Sequence, residues 1–441
     1  MIPCGRIVAN SCRKQVRKHG RSLSSLQSRG CIGARHNALV GTQVGDQRRF
    51  LGGASLQEQL LMKSVNSVIV DLAVDEPTVW MPQPDFSDHD YLKRKVPIEA
   101  ADLLDGVSQV DPFNLVQDEV VGLSENIKQL LGSDHPVLST VARYFFEQDG
   151  GKKMRPTLVL LMSRAANAHE SPAQENDKEM NSAVYASQIR LGEITEMIHT
   201  ASLLHDDVID VADTRRGVKS VNQMFGNKLA ILAGDFLLAR ASICLARLRN
   251  VEVVEIMSTS IEHLVKGEVM QMKSDIKGPD AFEYYLRKNY YKTGSLIANS
   301  ILAGTVLGGH SEEVQTIAFE YGEAIGHAFQ LIDDALDFEG SIQSLGKPAL
   351  ADLKQGLATA PILFAQDDFP ELRPMIERKF SHSEDVDRAA TCVLSSGSIA
   401  QTRNMAMSYA EKAIRAVLKL KPSPERDALV HLALKVVNRT K

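Results

Sequence analysis

Cysteine is scarce in this sequence and poorly placed for cross-links. The chain has 441 residues and five cysteines, three of which (Cys4, Cys12 and Cys31) lie near its start. Only Cys244 and Cys392 occur beyond that region, and they are far apart in the sequence. This spacing argues against a disulfide framework and a cysteine-based metal site, so we expect reduced thiols with a structural role.

Several motifs that would identify other classes of protein are also absent. No apolar stretch of roughly 18 residues occurs, which argues against a membrane-spanning helix. There is no Gly-x-Ser-x-Gly motif and no cysteine–histidine zinc pattern, and Pro348 directly after Gly346-Lys347 excludes a P-loop. The formal net charge of -5 argues against a nucleic-acid binder.

Acidic residues are almost missing from the N-terminal region. Residues 1–45 hold eight Lys or Arg and no Asp or Glu, whereas the remainder carries 42 basic and 55 acidic residues. The region is rich in Ser and Arg and lacks the apolar core of a secretory signal. It predicts a transit peptide over residues 1–50, mitochondrial in preference to plastid; the alternative is a basic tail without a targeting role.

The remainder divides into a variable extension and a helical body. Residues 51–111 carry mixed signals, and we interpret them as an N-terminal extension of unassigned role. From residue 112 onward helical patterns follow one another, and strand or hairpin signals are scarce. The predicted fold class is all-α, with one domain over residues 112–441 that wraps long helices around a central cavity. The longest predicted helices cover residues 182–210, 221–248, 251–275, 280–306 and 312–337.

An acidic cluster ends the helix predicted over residues 182–210. It consists of Asp206, Asp207 and Asp210, with no Lys or Arg within four positions on either side. On a helix, Asp206 and Asp210 lie one turn apart on the same face. Carboxylates at the end of an apolar stripe are costly unless a cation binds there. A hard divalent cation fits such oxygen ligands, and Mg²⁺ usually brings phosphate with it.

The same spacing recurs at Asp333, Asp334 and Asp337, again behind an apolar run. One such cluster is equally well explained as a solvated helix end. Two clusters with the same spacing instead predict carboxylates that face each other across a cavity. There they would hold several Mg²⁺ ions around one diphosphate.

Basic residues lie where they can complement these acids. Lys152, Lys153 and Arg155 surround the start of a predicted helix after a Gly-Gly pair, a pattern that fits an anion site and a plain solvated loop equally well. Arg215 and Arg216 follow the first cluster after a short loop, and arginine suits bidentate phosphate contact. Further candidates are Lys292 beside Thr293, Lys347, Lys354, and His199, which lies two helical turns before Asp206 and is either a ligand or a packed core residue.

Together these motifs resemble those of the trans-polyprenyl diphosphate synthases. The resemblance runs from about residue 112 to the C-terminus and rests on both aspartate clusters, Gly-Gly-Lys-Lys-Met-Arg-Pro, Lys-Thr-Gly-Ser-Leu and Gly-Lys-Pro, all in the family's order. Residues 356–365 and 422–429 are most similar to the long-chain enzymes, solanesyl or decaprenyl diphosphate synthases, that make the ubiquinone side chain in mitochondria.

The resemblance implies a role for each matched residue. Mg²⁺ ligands are implied at Asp206, Asp210, Asp333, Asp334 and Asp337, supported by Asp207. The implied catalytic residues are Asp206, Asp207, Asp210, Lys292, Asp333 and Asp334. Allylic diphosphate binding or stabilisation is implied at Arg215, Lys292, Thr293, Gln330 and Lys347, and isopentenyl diphosphate binding at Lys152, Arg155, His199 and Arg216.

This sequence departs from the family pattern at two positions. Val211 stands where many members have another aspartate. Leu357 stands where many have a lysine after the glycine, and Lys354 is the nearby candidate to replace it.

Product length should depend on what lines the cavity below the first cluster. Ser202 and Ala201 lie four and five residues before Asp206, about 6–8 Å along a helix. Both are small, which favours a product longer than C15, although small residues also serve close helix packing.

The resulting hypothesis is a long-chain all-trans-polyprenyl diphosphate synthase in the mitochondrial matrix or on the inner-membrane face. It would condense isopentenyl diphosphate with farnesyl or geranylgeranyl diphosphate. The alternatives are a shorter-chain, geranylgeranyl-type synthase and a non-catalytic subunit of a heteromeric prenyltransferase. The resemblance also implies a homo- or hetero-oligomer, and the hydrophobic product implies transient contact with a membrane surface.

Overall fold

The structure is a computed structural model that describes most of the predicted helical body. The described residues are 80–84, 86, 102–132, 136–147, 153–170, 178–215, 217–273, 281–343 and 350–440. They belong to a single unit of the chain, Glu76–Lys441. The predicted transit peptide and most of the predicted extension lie outside the described residues.

Helices dominate the described chain, which confirms the all-α prediction. Two 3₁₀ turns, Asp102–Leu104 and Asn114–Val116, precede the first α-helix. The α-helices are α1 Gln117–Leu131, α2 Pro136–Glu147, α3 Met154–His169, α4 Lys178–Ile209, α5 Val221–Phe225, α6 Asn227–Arg247, α7 Val251–Lys273, α8 Ala281–Asn289, α9 Ser295–Leu307, α10 Glu312–Gln343, α11 Ala351–Lys354, α12 Ala360–Ala365, α13 Leu372–Glu377, α14 Asp385–Ser395, α15 Ser398–Val417 and α16 Pro424–Val437. A π-helix, Tyr290–Gly294, joins α8 to α9.

A short antiparallel hairpin follows α4. Strands β1 (Thr214–Arg215) and β2 (Val218–Lys219) pair with Thr214 opposite Lys219. Strands of two residues are too short to show an alternating pattern, so this hairpin could not be predicted from the sequence. The hairpin brings Arg215 back beside the end of α4.

The two longest helices, α4 and α10, each have 32 residues and carry the two aspartate clusters. Helix α4 packs against α3, α6 and α9, whereas α10 packs against α9, α15 and α16. Every residue of α9 from Ser295 to Val306 is buried. The helix therefore serves as a central rod, and α4 and α10 pack against it.

Glycines allow three of these elements to approach until their backbones touch. A Cβ at Gly326 of α10 would lie 2.5 Å from the Cα of Gly294, the last residue of the π-helix. A Cβ at Gly267 of α7 would lie 2.7 Å from the backbone nitrogen of Lys292. Real Cβ atoms do not approach so closely, so the π-helix is held between α7 and α10 by direct backbone contact.

Residues of the predicted extension contact the helical body. The Ser108 amide donates a hydrogen bond to Asp427 (2.8 Å), and Lys435 pairs with Asp111 at 2.5 Å. Further upstream, the Phe86 ring lies 6.0 Å from the Tyr290 ring, centroid to centroid. The boundary proposed between residues 111 and 112 stays a prediction.

Helix α6 is unusually apolar for a helix on the outside of the bundle. Among the described residues it is the helix long and apolar enough to span a membrane, with a mean hydropathy of 1.8 in its most apolar window and 39% of that window buried. The helix packs along α4, as the core helix of a soluble protein also would. Its outer side, together with that of α7, forms what we term the outer apolar face, which consists of Ile231, Leu232, Ile243, Val265 and Val269.

Candidate active site

The first aspartate cluster lies where α4 ends. Asp206 is in the last turn, and the Asp210 amide donates to the Asp206 carbonyl (2.8 Å) just beyond the helix. Val211 then adopts a left-handed conformation with φ of 52°, which is uncommon for a β-branched residue. This turn stops the helix directly after the cluster and leaves Asp210 exposed.

Asp207 points into the protein instead of the cavity. It is 1% exposed and accepts hydrogen bonds from Arg215 Nε at 2.8 Å to Oδ1 and 3.0 Å to Oδ2. Arg215 Nη2 also lies 2.7 Å from Oδ1. Asp207 thus fixes Arg215 at the edge of the cavity, and its supporting role in metal binding stays a prediction.

Asp206 bears charge that the protein only partly balances. Burial raises the pKa of Asp206 to about 6, with Glu268 and Asp210 adding to the rise while Lys292 and Arg215 oppose it. Burial likewise raises the pKa of Asp210. A carboxylate at this position is therefore better satisfied by an additional cation than by the neighbouring side chains alone.

Lys292 and Thr293 project from the π-helix. Lys292 Nζ lies 2.6 Å from Oε2 of Glu268 on α7. Glu268 was not among the residues selected from the sequence, because nothing local distinguishes it. The feature that marks Glu268 is structural: it directly follows Gly267, at the point where α7 contacts the backbone of the π-helix.

The second cluster is organised by a hydrogen-bond network around Asp334. Asp334 is 2% exposed and accepts hydrogen bonds from Tyr285 Oη (2.6 Å) and Gln330 Nε2 (2.9 Å). Thr293 Oγ1 in turn donates to Gln330 Oε1 at 3.0 Å. Burial raises the pKa of Asp334, although these hydrogen bonds oppose the rise. The network connects α8, the π-helix and α10 through polar side chains.

The other two aspartates of this cluster have different surroundings. Asp333 Oδ1 lies 2.9 Å from Arg439 Nη1, beyond the last helix, and burial raises the pKa of Asp333 to about 6. Asp337 accepts hydrogen bonds from the amides of Ala351 (3.2 Å) and Asp352 (3.4 Å). Asp337 therefore holds the start of α11 in place.

Three further residues near this cluster were missed from the sequence. Burial raises the pKa of Asp352 to about 7, and the nearby Asp334 and Asp337 add to the rise. Burial lowers the pKa of Lys288, and the nearby carboxylates of Asp334 and Asp352 oppose this shift. Tyr285, the third, lies one turn before Lys288. Asp352 lies four residues after the Gly-Lys-Pro motif, so its place in the sequence could have marked it as a candidate.

A cavity of about 1210 Å³ brings the two clusters together. Asp206 and Asp333 both line it, so carboxylates from α4 and α10 face the same space. Cations surround them, and the walls between are partly apolar, with Leu203 and Phe329 among them. The cationic lining residues are Lys153, Arg155, Arg215, Lys292, Lys435 and Arg439.

Two of the predicted isopentenyl diphosphate residues, Arg155 and His199, lie next to each other in this cavity. Arg155 Nη1 is 3.0 Å from His199 Nε2, and both line the cavity. Lys153 lines it too, and its Nζ lies 3.5 Å from Glu196. Three of the predicted substrate-binding residues, Lys152, Arg216 and Lys347, lie outside the described residues. For the described ones, placement in the cavity is observed and the ligand roles stay predictions.

The two predicted chain-length residues differ in their surroundings. Ser202 lines the cavity, and its hydroxyl donates to the His199 carbonyl at 2.8 Å. Ala201 is fully buried in the hydrophobic cluster shared by α4, α6 and α9. Ala201 thus belongs to the packed core beside Ser202 and does not itself line the cavity.

The acidic residues fit a divalent cation by their donor chemistry. Carboxylate oxygens are the preferred ligands of hard cations, and Asp206 and Asp333 present theirs to the cavity. No group of three His, Cys, Asp or Glu side chains in the described part of the chain converges tightly enough to surround a metal ion by itself. This arrangement suits ions that complete their coordination with phosphate oxygens and water, as Mg²⁺ does.

Comparison with known proteins agrees with this geometry. The Polyprenyl synthetase family model matches residues 135–393. A probable hexaprenyl pyrophosphate synthase, mitochondrial, of Neurospora crassa is 46% identical over 375 residues, covering 76% of this chain and 83% of the relative. The decaprenyl-diphosphate synthase subunit 1 of Schizosaccharomyces pombe is 46% identical over 74% of this chain and 91% of its own length.

A solved structure extends the comparison to the fold and its ligands. The polyprenyl synthase of Caulobacter crescentus, in complex with calcium and isoprenyl diphosphate, is 29% identical and has a TM-score of 0.65. The match covers 79% of this chain and all of that protein. In that relative a divalent cation accompanies the prenyl diphosphate.

An all-α bundle with opposed aspartates and a cationic cavity defines an enzyme of the isoprenoid synthase fold. The chain belongs to the polyprenyl synthetase family and is a trans-prenyltransferase. Divalent metal use is a property of this family, as the calcium complex illustrates.

The raised pKa of Asp206 predicts a pH-dependent effect of Asp206→Asn on stability in EDTA. A pKa near 6 instead of the usual 3.8 means that the folded state loses stability as pH rises through this interval. Asp206→Asn removes that penalty, so we expect a melting temperature about 2–4 °C above wild type at pH 8 and a gain about half as large at pH 5.

Thermal melts at both pH values measure this effect. The exposed Asp367→Asn serves as the control and should show no such gain. An Asp206→Asn protein less stable than wild type at pH 8 would contradict the account of Asp206 as an unbalanced buried charge.

Proposed function

We propose that this protein is a long-chain all-trans-polyprenyl diphosphate synthase that supplies the ubiquinone side chain in mitochondria. It adds isopentenyl diphosphate head to tail onto an allylic diphosphate, in a reaction that depends on Mg²⁺. The observation that carries the proposal is the single cavity lined by Asp206 and Asp333 from opposite helices, with cations on both sides. The mitochondrial relative in Neurospora and the predicted transit peptide support the location.

The residues of the cavity divide the work between two diphosphates. Lys292 and Arg215 lie next to the first aspartate cluster and bind the allylic diphosphate, while Thr293 orients Gln330 for the same group. Arg155 and His199 bind isopentenyl diphosphate on the other side. This division places the two substrates in one cavity with the reacting carbons between them.

Ionisation of the allylic substrate is the demanding step. Mg²⁺ held by Asp206, Asp210 and Asp333 supplies Lewis-acid stabilisation of the departing diphosphate. Lys292 and Arg215 add fixed positive charge where negative charge develops. Leu203 and Phe329 limit the access of water, so the isopentenyl double bond attacks the allylic cation before water does. The released pyrophosphate is the base that we assign to the final proton loss.

An elongation assay tests the proposed function. The protein lacking roughly its first 50 residues, the predicted transit segment, is incubated alone with Mg²⁺, labelled isopentenyl diphosphate and farnesyl or geranylgeranyl diphosphate. We expect products of C30 or longer, and Asp206→Asn should reduce the rate by about 10²–10⁴-fold because transition-state charge stabilisation is lost. Products that stop at C20 would instead establish the shorter-chain alternative, and no product would point to a missing partner or a non-catalytic subunit.

Product length is the second testable property of the cavity. We propose that the small residues Ala201 and Ser202 leave space for a long chain, because they lie one turn or slightly more before Asp206 on α4. Ala201→Phe and Ser202→Phe should each shorten the product sharply, and the matched control Ser202→Ala should not. Chromatography of the products measures this, with a thermal melt to establish folding because overpacking at the buried Ala201 costs about 1–3 kcal/mol. Wild-type product length in both Phe variants would show that the floor lies elsewhere.

The outer apolar face of α6 and α7 supports assembly into an oligomer. Its five residues are each more than 40% exposed, whereas other residues of the same two helices are buried in the hydrophobic core. An apolar patch of this kind is covered by another protein chain more often than by water. We propose that a second synthase chain covers it, with a different subunit as the alternative suggested by the name of the Schizosaccharomyces relative. Membrane contact through the hydrophobic product stays a further proposal.

Charge inserted into this face should separate the oligomer. Leu232→Glu and Val265→Glu place a carboxylate in the proposed contact, which costs several kcal/mol when it is buried without a partner. Sedimentation velocity of the purified chain should show dimers for wild type and monomers for both variants. Leu394→Glu, at an exposed leucine of α14, is the control. A monomeric wild type that is inactive alone would favour the heteromer.

A further inference from the structure

A second, smaller cavity lies beside the first aspartate cluster, and we term it the side pocket. It encloses about 160 Å³ and is lined by Asp210 and Glu268 on one side and by Gly356, Leu357 and Lys379 on the other. Glu268 is the residue that pairs with Lys292 of the main cavity. The side pocket is therefore directly next to the group of residues that surrounds the allylic diphosphate in the proposed function.

Lys379 lines this pocket from a turn that is held by main-chain hydrogen bonds and by a buried neighbouring side chain. Lys379 and Phe380 have φ of 54° and 51°, a left-handed conformation that is rare in two consecutive residues other than glycine. The Lys379 amide donates to the Ile376 carbonyl (2.9 Å), and the Phe380 amide donates to the Met375 carbonyl (2.9 Å). The Phe380 ring is buried, so it anchors the turn while Lys379 stays exposed.

The loop that carries Leu357 packs directly on this turn. Gly356 has φ of +81°, and a Cβ there would lie 3.0 Å from the Cβ of Lys379. The Leu357 amide donates to the Asp352 carbonyl at 2.9 Å, which ties the loop to the second aspartate cluster through Asp352. Leu357 and Lys379 are thus neighbours across a glycine contact although 21 positions in the sequence separate them.

The charge on Lys379 is not neutralised by an acid. Its Nζ donates to the main-chain carbonyl of Met272 (3.1 Å), near the end of α7, and it forms no ion pair with any residue in the described part of the chain. By contrast, Lys292, Arg215 and Arg439 each pair with a carboxylate. A lysine held only by a carbonyl exchanges that partner for an anion at little cost, because a charge-assisted bond to phosphate is the stronger of the two.

Leu357 lines the side pocket together with Lys379. The resemblance to the family leads us to expect a lysine at position 357, and this chain has an apolar residue there. The structure places Lys379, from a different segment, on the wall of the same pocket as Leu357. Lys354, the replacement considered from the sequence, does not line this pocket.

We propose that Lys379 is a diphosphate-binding residue, which contacts the allylic diphosphate or the pyrophosphate released from it once divalent cations occupy the neighbouring aspartates. This assignment rests on the proposed function for the identity of the ester. The binding of inorganic pyrophosphate itself needs no turnover. The contact requires only that the flexible side chain turn from the Met272 carbonyl toward Asp210.

Calorimetry on the full chain with Mg²⁺ and inorganic pyrophosphate tests the proposal directly. Lys379→Gln should weaken pyrophosphate binding about tenfold, the usual loss for one charged hydrogen bond, while Lys379→Arg should stay within about threefold of wild type. Both replacements keep a Cβ, so neither changes the backbone preference at φ of 54°. The matched control is Lys419→Gln, an exposed lysine that lines neither cavity.

Steady-state kinetics separate substrate contact from a structural role. Lys379→Gln should raise the KM for farnesyl diphosphate about tenfold and leave the KM for isopentenyl diphosphate unchanged. Adding Leu357→Lys to Lys379→Gln should restore both the KM and pyrophosphate binding, because the two positions line one pocket. The melting temperature should stay within about 2 °C of wild type throughout, since Lys379 is exposed.

Three results would overturn the proposal. These are unchanged pyrophosphate affinity in Lys379→Gln, a loss that is equally large in Lys379→Arg and in the Leu357→Lys double variant, or a rise confined to the KM for isopentenyl diphosphate. If wild type binds pyrophosphate through Lys379 but forms no prenyl product alone, the chain is not an independent synthase and the assignment of Lys379 stands.

Discussion

The arrangement depends on negative charge, held at the end of α4 and within α10, that the protein does not fully compensate. Burial raises the pKa values of both Asp206 and Asp333, which shows that the folded chain alone accommodates their ionised forms poorly. The rest of the structure keeps these carboxylates in position. Helix α9 is buried on every side and separates α4 from α10. The glycine contacts at Gly267 and Gly326 fix the π-helix that brings Lys292 to the same place. Stability given up at the clusters is thus recovered only when cations and diphosphate bind.

Three cations around the cavity are each paired with a carboxylate of the protein. Arg215 is paired with Asp207, Lys292 with Glu268 and Arg439 with Asp333. These pairs differ in what binding requires of them. Asp207 is buried and holds Arg215 from behind, so this arginine keeps its partner while it faces the substrate. Asp333 is itself a candidate metal ligand, so a metal ion bound there would require Arg439 to give up this partner. A pair of this second kind would couple the position of Arg439 to metal binding.

Local pattern predicted the aspartate clusters, and long-range contacts account for what it missed. Two carboxylates four residues apart on one helical face can be recognised from sequence alone, and the structure places Asp206 and Asp333 on the same cavity. The contacts to Glu268, Tyr285, Asp352 and Arg439 join segments tens of residues apart, and no spacing rule reports them. The hairpin at Arg215 was missed because its strands have two residues each. Helix α10 runs to Gln343, beyond the predicted end at residue 337, since no glycine or proline interrupts it at Asp337. The ligand roles of the site residues stay predictions.

The π-helix between α8 and α9 has a geometric consequence for the whole site. The widened turn of the π-helix is closed by the Ser295 amide, which donates to the Tyr290 carbonyl five residues back. The continuous helix formed by α8, the π-helix and α9 therefore contains one residue more than a regular α-helix of the same length. One extra residue shifts the angular register by about 100°, the rotation per residue of an α-helix. The side chains before and after the turn therefore face different directions from one continuous rod. Tyr285 and Lys288 face Asp334 in the interior, whereas Lys292 and Thr293 open onto the cavity. One continuous helix can in this way place some side chains beside the second aspartate cluster and others on the wall of the cavity, without a loop between them.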